Sequence, residues 1–233
     1  MIDPQVLEGC PALAGLPAAA RFDLAGVARE VEYGTEERLV PLVRPSRQLL
    51  FILAGLAKLT GVSVNGVERI VYVFRPGDIV GSRILLEESA EAAYEIVAMR
   101  PVRAVAVSRP DFIRVCDVHP ELLMAVTQEF SRRLTALTSR MLAAMSDDVP
   151  IRLGQVLIDF AEGDGEELVP LSYPLTHESL AQIIGASRPH TSTVLRDLEE
   201  MGLVRRRSER GLLVNPAGLR AMVQGSAGFR QAV

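Results

Sequence analysis

Cysteine, histidine and tryptophan are scarce in this sequence of 233 residues, which has two cysteines, three histidines and no tryptophan. Cys10 and Cys116 lie far apart and show no C-x-x-C spacing. This argues against a disulfide framework and against a cysteine-ligated zinc or iron–sulfur site. We therefore expect two free, packed thiols in a reducing cytoplasm.

Long apolar runs are also missing. No stretch approaches about 18 uninterrupted apolar residues, so no membrane-spanning helix is predicted, and no basic segment with an apolar run follows the N-terminus. A nucleophile elbow, a Walker loop and metal-ligand spacing are absent from the sequence as well. These absences argue against an enzyme and predict a cytoplasmic protein.

The charge balance excludes one broad mode of nucleic-acid binding. The chain has a net charge of −4, with 48% hydrophobic and 23% charged residues, close to ordinary globular usage. No global positive field would attract nucleic acid. Any DNA contact must therefore come from a local basic surface.

The first half of the chain has a β pattern. Short apolar runs are separated by turn residues such as Gly55, and Asn65-Gly66 is a strong hairpin signal. We predict a β-roll or barrel, preceded by a short helix from about Ala18 to Glu30. The predicted strand runs are Leu49–Leu53, Ala57–Thr60, Ile70–Phe74, Glu95–Met99 and Val102–Val107.

A long amphipathic helix is predicted next, because the apolar period changes to between 3.5 and 3.6. Pro120 suits its first turn, and the pattern runs to about Ser146. Such a helix is about 39 Å long, more than a small roll can cover. This favours a parallel two-helix dimer seam over a helix lying on its own domain. The seam positions are Leu123, Thr127, Phe130, Leu134, Leu137, Met141 and Ala144.

Two short helices joined at a glycine are predicted between Leu175 and Val204. Thr176 is a good N-cap for the first helix, Gly185 ends it, and Ser187 caps the second. This is the helix-turn-helix arrangement, whose second helix enters the major groove. The expected inward residues of the second helix are Val194, Leu195, Leu198 and Met201, and the expected exposed ones are Arg188, His190, Thr191, Ser192 and Thr193.

A basic β-hairpin wing is predicted after the second helix. Residues 187–210 contain six arginines and four acids, a local balance of +2. A basic wing beside a recognition helix favours phosphate contacts over a winged helix used only for protein contacts. The predicted DNA-binding residues are Thr176, Ser187, Arg188, His190, Thr191, Ser192, Thr193, Arg205, Arg206, Arg207 and Arg210.

The chain resembles the CRP/FNR superfamily of bacterial transcription regulators. The resemblance rests on G-A-S-R-x-x-x-x-x-x-L-x-x-L-E-E-x-G-L-V at 185–204, H-P-E-L-L-M-x-x-x-x-x-x-S-R-R-L at 119–134, and L-L-F-I-L-A-G and F-R-P-G-D-I-V-G at 49–55 and 74–81. It implies a homodimer on palindromic double-stranded DNA, contact with RNA polymerase, and an effector in the roll that repositions the DNA-binding domains through the long helix.

The predicted fold class is α+β in three parts. Asp148 can cap a new helix from about Ile151 to Glu162, with Pro150 in its first turn. We expect a β-roll sensor domain of the cyclic-nucleotide-binding type at 1–120 and a dimerisation helix and hinge at 121–148. A winged helix-turn-helix domain should follow at 149–233.

Departures from the family pattern concern what is bound. Pro189 and Thr193 replace a Glu and an Arg that read G·C pairs in many relatives, so a different operator is expected. Ser82, Ala92 and Ala93 stand where cyclic-nucleotide-binding relatives carry the Glu for the ribose and the Arg-Ser pair for the cyclic phosphate. Cyclic AMP is therefore not expected as effector, since a buried phosphodiester would lack its cation.

The effector remains unidentified, and no cofactor or metal is predicted. His119 precedes Pro120, where a capping role is favoured over haem ligation. A protein that binds an effector or acts as a scaffold, and has lost specific DNA binding, stays open as the alternative function. The candidate pocket residues, several of them carried over from relatives, are Ser82, Arg83, Tyr94, Arg133, Leu134, Leu137, Thr138 and Met141.

Overall fold

The computed structural model describes residues 1–40, 48–62, 68–85, 94–145, 148–208 and 211–229. Its contacts form two compact units, Met1–Thr135 and Ala136–Val233. The boundary between the units falls within one long helix. Within the described parts of the chain, every helix is too short or too polar to span a bilayer.

The first unit is built around an antiparallel sheet with strand order β1-β6-β3-β4, in which β2 also pairs with β6 and β5 with β3. Two helices precede the sheet, a 3-10 turn follows β5, and α3 and the long helix α4 follow the sheet. The elements are α1 Gln5–Glu8, α2 Ala18–Val27, β1 Arg29–Tyr33, β2 Arg38–Val40, β3 Gln48–Val62, β4 Glu68–Phe74, β5 Ile79–Val80, the turn Ser82–Leu85, β6 Tyr94–Ser108, α3 Arg109–Val118 and α4 Pro120–Ala144.

The strands are longer than the sequence predicts. The runs predicted on either side of Gly55 form one strand, β3, and the two runs from Glu95 to Val107 form β6. Gly55 has φ +90, and a Cβ there would lie 2.0 Å from the carbonyl oxygen of Pro101. The register shifts around it, so Gly55 makes a bulge and does not end the strand. The predicted turn at Asn65-Gly66 lies outside the described residues.

The N-terminal segment belongs to the core of the first unit. Its apolar side chains pack against strands β3 and β6 and helices α3 and α4. Helix α2 ends at Val27, earlier than predicted, because Arg29 begins β1 and pairs with Ala106. Fully buried residues of the segment are Leu7, Cys10, Leu13, Ala20 and Leu24.

Helix α4 begins at Pro120 as predicted and ends at Ala144, slightly before the predicted end. Leu122 and Val126 are buried in the core of the first unit, and the half-buried Phe130 packs against it. Of the other predicted seam residues, Leu123, Thr127, Leu134 and Met141 are exposed in the single chain, Leu134 by 67%, and Leu137 is half-buried. An apolar row of α4 therefore faces away from the core.

In its described residues, the second unit combines the end of α4 and the helices α5 to α8 with a small antiparallel sheet of order β7-β9-β8. Asp148 occupies the N-cap position of α5, but its side chain makes no capping hydrogen bond. Helix α5 ends before the predicted Glu162, and α8 was not anticipated from the sequence. The elements after α4 are α5 Val149–Asp159, β7 Val169–Pro170, α6 His177–Ile184, α7 Arg188–Glu200, β8 Val204–Ser208, β9 Gly211–Val214 and α8 Pro216–Phe229.

Candidate nucleic-acid interface

The first helix of the predicted motif is confirmed with its cap. The Thr176 side chain accepts a hydrogen bond from the Ser179 amide at 3.0 Å, as an N-cap residue does. Leu180, Ala181 and Ile184 form the buried face of α6. Local capping and apolar spacing thus fix α6 against the core of the second unit.

The turn between α6 and α7 requires its glycine. Gly185 adopts a left-handed conformation with φ 69. This conformation costs glycine little free energy, because glycine has no Cβ. Ser187 then caps α7, its hydroxyl accepting from the His190 amide at 3.4 Å. Arg188 is consequently the first helical residue of α7.

The buried face of α7 differs from the prediction at two positions. Val194, Leu195 and Leu198 are buried as expected. Thr191 was expected to be exposed, but it is 0% exposed, and its hydroxyl donates to the Ser187 carbonyl at 3.0 Å. It lies three and four residues before Val194 and Leu195 on the same stripe, so it belongs to the core. Met201 was expected inside, but it is 61% exposed at the C-terminus of the helix.

The exposed start of α7 carries the remaining predicted residues. Arg188, His190 and Thr193 are exposed, and Ser192 is half-buried. Thr193 donates to the Pro189 carbonyl at 3.3 Å. These short or hydrogen-bonding side chains lie where a recognition helix offers groups to base edges and phosphates.

His177, the first residue of α6, is a site residue that the sequence analysis missed. Its Nδ1 lies 2.9 Å from the Ser192 hydroxyl, so it joins α6 to the exposed face of α7. Partial burial lowers the pKa of His177, the cations Arg206 and Arg188 lower it further, and Glu199 opposes them. No local sequence signal indicates this contact, because the partners are 15 residues apart on different helices.

The wing is present and carries the predicted arginines. Strands β8 and β9 pair antiparallel, with Val204 opposite Val214. Arg205, Arg206 and Arg207 are all exposed. Arg206 also lies 3.9 Å from a carboxylate oxygen of Glu199 on α7. Arg210 lies outside the described residues.

In the first unit, Arg133 of α4 is enclosed by its own neighbours. Its side chain is 13% exposed, and one terminal nitrogen donates to the Ile79 carbonyl at 2.6 Å. The guanidinium carbon lies 5.3, 5.0 and 5.6 Å from the ring centroids of Tyr72, Phe74 and Phe130. This is cation–π geometry on three sides.

Two buried carboxylates, Glu129 and Asp78, lie in the same region, and the sequence analysis proposed neither as a site residue. Glu129 is 3.4 Å from Arg133, while Asp78 accepts from the Tyr72 hydroxyl at 3.3 Å and from the Arg75 amide at 2.8 Å. Burial raises the pKa of Glu129, Asp78 raises it further, and Arg133 opposes them. Burial also raises the pKa of Tyr72 to about 12. We call these four side chains, Tyr72, Asp78, Glu129 and Arg133, the Arg133 cluster.

The other candidate pocket residues are spread along the chain. Ser82 is half-buried in the 3-10 turn that also contains Arg83, and Tyr94 is half-buried at the start of β6. Ala92 and Ala93 lie outside the described residues. On α4, Leu137 is half-buried, whereas Leu134, Thr138 and Met141 are exposed. Among the pocket residues described, Arg133 ties α4 to the roll through its hydrogen bond to the Ile79 carbonyl.

The contacts and burial of His119, Cys10 and Cys116 indicate structural roles for these residues. His119 Nε2 lies 2.8 Å from a carboxylate oxygen of Asp23, so the side chain links the residue before α4 to α2. Burial raises the pKa of both Cys10 and Cys116 to about 11, so both are protonated thiols near neutral pH. Across the described residues, His, Cys, Asp and Glu nowhere form a group of three that could hold a metal.

Comparison with known proteins gives two family matches. A cyclic nucleotide-binding domain matches residues 30–119, and a Crp-like helix-turn-helix domain matches residues 151–222. Similar proteins include the cAMP-activated global transcriptional regulator CRP of Salmonella typhimurium, 24% identical over 175 residues, which cover 74% of this chain and 83% of that protein. The CRP-like cAMP-activated global transcriptional regulator of Mycobacterium tuberculosis is 24% identical over 164 residues, covering 69% and 73%.

Solved structures with the same fold include FixK2 from Bradyrhizobium japonicum, with a TM-score of 0.70 at 17% identity, covering 83% of this chain and 96% of that one. The c-di-GMP responsive global regulator CLP of Xanthomonas campestris has a TM-score of 0.68 at 19% identity, covering 85% and 99%. The predicted α+β class is confirmed, with an N-terminal antiparallel sheet domain, the long helix α4 and a C-terminal helix-turn-helix with its wing.

Proposed function

Because the chain belongs to the CRP/FNR family of DNA-binding transcription regulators, which are not enzymes, we propose that it binds a palindromic operator as a homodimer. The observation that carries the proposal is the exposed start of α7. Arg188 follows the capping Ser187 directly, and His190 and Thr193 are exposed beside it. Arg188 reads a guanine or holds a phosphate, and the wing arginines bind the backbone.

The dimer contact is the apolar row on α4. Leu123, Leu134 and Met141 are large apolar side chains exposed in the single chain, at the spacing of a coiled-coil seam. A two-fold axis along α4 pairs each of them with its copy. The two recognition helices then bind half-sites whose centres lie about 34–36 Å apart, one turn of the duplex.

The effector in this proposal is a small molecule other than cyclic AMP, bound where α4 lies against the roll. Arg133 is already paired with Glu129 and with the Ile79 carbonyl. An anionic ligand at Arg133 would compete with Glu129, a buried carboxylate that also pairs with Arg132 at 3.2 Å. Cyclic AMP is left out of the proposal because Ser82 stands where cyclic-nucleotide-binding relatives carry the Glu for the ribose.

The bound dimer acts in the cytoplasm and contacts RNA polymerase, as the family resemblance suggests. Selection from a random double-stranded DNA library, followed by fluorescence anisotropy on the selected site, tests the proposal. We expect a palindrome whose half-site differs from that of the cyclic-AMP-responsive relatives. Failure to select any sequence, with the chain folded and dimeric, would overturn the proposal and favour an effector-binding or scaffold protein without specific DNA binding.

A further inference from the structure

The exposed face of the recognition helix includes one hydroxyl that is held from another helix. Ser192 lies four residues after Arg188 and four before Arg196, so the three residues share a face of α7. Both arginines are exposed, whereas Ser192 is half-buried against His177. The distance from His177 Nδ1 to the Ser192 hydroxyl is 2.9 Å, a full hydrogen bond.

The direction of this hydrogen bond decides what Ser192 can offer to a base. A serine hydroxyl has one hydrogen and two acceptor lone pairs, and a neutral imidazole donates from one nitrogen and accepts at the other. When Nδ1 accepts, Ser192 uses its hydrogen on His177 and presents only lone pairs. When Nδ1 donates, the hydroxyl hydrogen is free for an acceptor on the DNA.

Protonation of His177 fixes the direction of its hydrogen bond with Ser192. Both nitrogens of a histidine cation carry hydrogens, so Nδ1 can only donate to Ser192. Ser192 is then able to donate to guanine O6 or N7, thymine O4 or adenine N7. With neutral His177 the arrangement in which Ser192 presents only lone pairs is also populated, and it favours cytosine N4 and adenine N6, whose N–H groups need an acceptor.

We propose that His177 is a specificity-determining residue that acts through Ser192 and couples the base preference of the recognition helix to its own protonation. The proposal rests on the DNA-binding function proposed above. His177 is a positioning residue here, because the group that meets the base is the Ser192 hydroxyl.

The charged groups around His177 give the sign of the pH dependence. Arg188 and Glu199 face it from α7 and Arg206 faces it from β8, and burial with the two cations lowers the pKa of His177. DNA phosphates at Arg188 and Arg206 offset those two positive charges, so the pKa rises when DNA binds. The complex then holds more protons than the free protein, and affinity increases as pH falls, until pH drops below the pKa of the free protein.

The test compares the intact dimer and three variants between about pH 6 and pH 8, on either side of the ordinary histidine pKa. Anisotropy measures affinity for the selected palindrome, and library selection at both pH values measures base preference. For the natural protein we expect affinity to rise with falling pH by up to about tenfold per unit for each half-site. At the lower pH, the protein should prefer bases with an exposed hydrogen-bond acceptor more strongly at one symmetric pair of positions in the palindrome.

The variants separate the half-buried His177 from the exposed His190 of the same motif. His177→Asn keeps a hydrogen-bonding group near Ser192 but cannot titrate, and Ser192→Ala removes the hydroxyl. For each of these two variants, the selected bases should be the same at the higher and the lower pH. His190→Asn removes the histidine of α7 and should keep the pH-dependent preference.

If the role of His177 were purely structural, His177→Asn would lower the affinity for every DNA sequence by the same factor at every pH. Identical selected sites for the natural protein at both pH values, or a pH-dependent preference that survives in Ser192→Ala, would overturn the proposal while leaving DNA binding intact. Recovery of no palindrome at either pH would instead overturn the proposed function itself.

Discussion

Replacing Leu134 by glutamate tests the dimer seam directly. Leu134 is 67% exposed in the single chain, so most of its side chain is available to a partner. Full burial of a leucine contributes about 1.5–3 kcal/mol, of which roughly 1–2 kcal/mol remains to be gained here. The two-fold axis doubles this to roughly 2–4 kcal/mol for the dimer.

The substituted carboxylates add a second penalty. Two glutamates facing each other in an apolar seam would lose water without gaining a cation, which costs several kcal/mol. The sum exceeds about 5 kcal/mol, so dimerisation of Leu134→Glu should weaken by more than about a thousandfold. Stability of the single chain should change little, because the position is exposed within it.

Sedimentation equilibrium at micromolar concentration measures the outcome, with thermal unfolding as the check on folding. Phe22→Glu is the matched control, since Phe22 is 63% exposed on α2 and lies outside the seam. We expect a monomer for Leu134→Glu and a dimer for Phe22→Glu. A folded Leu134→Glu that remains dimeric would show that the interface lies elsewhere on the chain.

Three other predictions follow from the described contacts. Arg188→Ala should cost about 1–3 kcal/mol on the selected site and relax one base position, whereas Arg206→Ala should weaken all sequences alike and lower the salt slope by about one; titrations at several salt concentrations distinguish them. Calorimetry with cyclic AMP and cyclic GMP should show no binding tighter than about millimolar, because Ser82 replaces the family's ribose-binding Glu; micromolar affinity would refute this interpretation. The raised pKa of Glu129 means that the folded state binds its proton more tightly than the unfolded state, so stability falls as pH rises above the ordinary glutamate pKa. Glu129→Gln should flatten that fall in thermal unfolding, and an unchanged pH profile would contradict it.

Features set by neighbouring residues could be predicted from the sequence. The caps Thr176 and Ser187, the left-handed Gly185 and the start of α4 at Pro120 each depend on a few adjacent residues, and all four are confirmed. Capping and backbone conformation are local properties, so the sequence contains the information they need.

Features set by packing were predicted less well. Thr191 is polar and was assigned to the exposed face, although the apolar stripe of α7 passes through it. Gly55 was interpreted as a turn, because its effect depends on Pro101 in a neighbouring strand. The apolar residues of a helix indicate only approximately which of its faces is buried. A glycine between apolar runs can mark either a turn or a bulge within one strand.

The contacts on which the proposals depend join distant segments. Arg133 and Ile79 are 54 residues apart, and His177 and Ser192 are 15 apart. Neither pair follows from the periodicity or composition of its own segment. Both depend on how two elements pack, so only a three-dimensional structure could identify them.

The departures in α7 leave the helix itself undisturbed, and we predict that they change the bases that it reads. Pro189 lies in the first turn, where a backbone N–H has no partner within the helix, so proline costs the fold little. It nevertheless removes the carboxylate that the family resemblance would place there to accept from cytosine. Thr193 uses its hydroxyl hydrogen on the Pro189 carbonyl, so it presents lone pairs where many relatives present an arginine donor. Since one acceptor is lost and one donor becomes an acceptor, we expect the half-site to differ at both base positions even though the fold of the motif is unchanged.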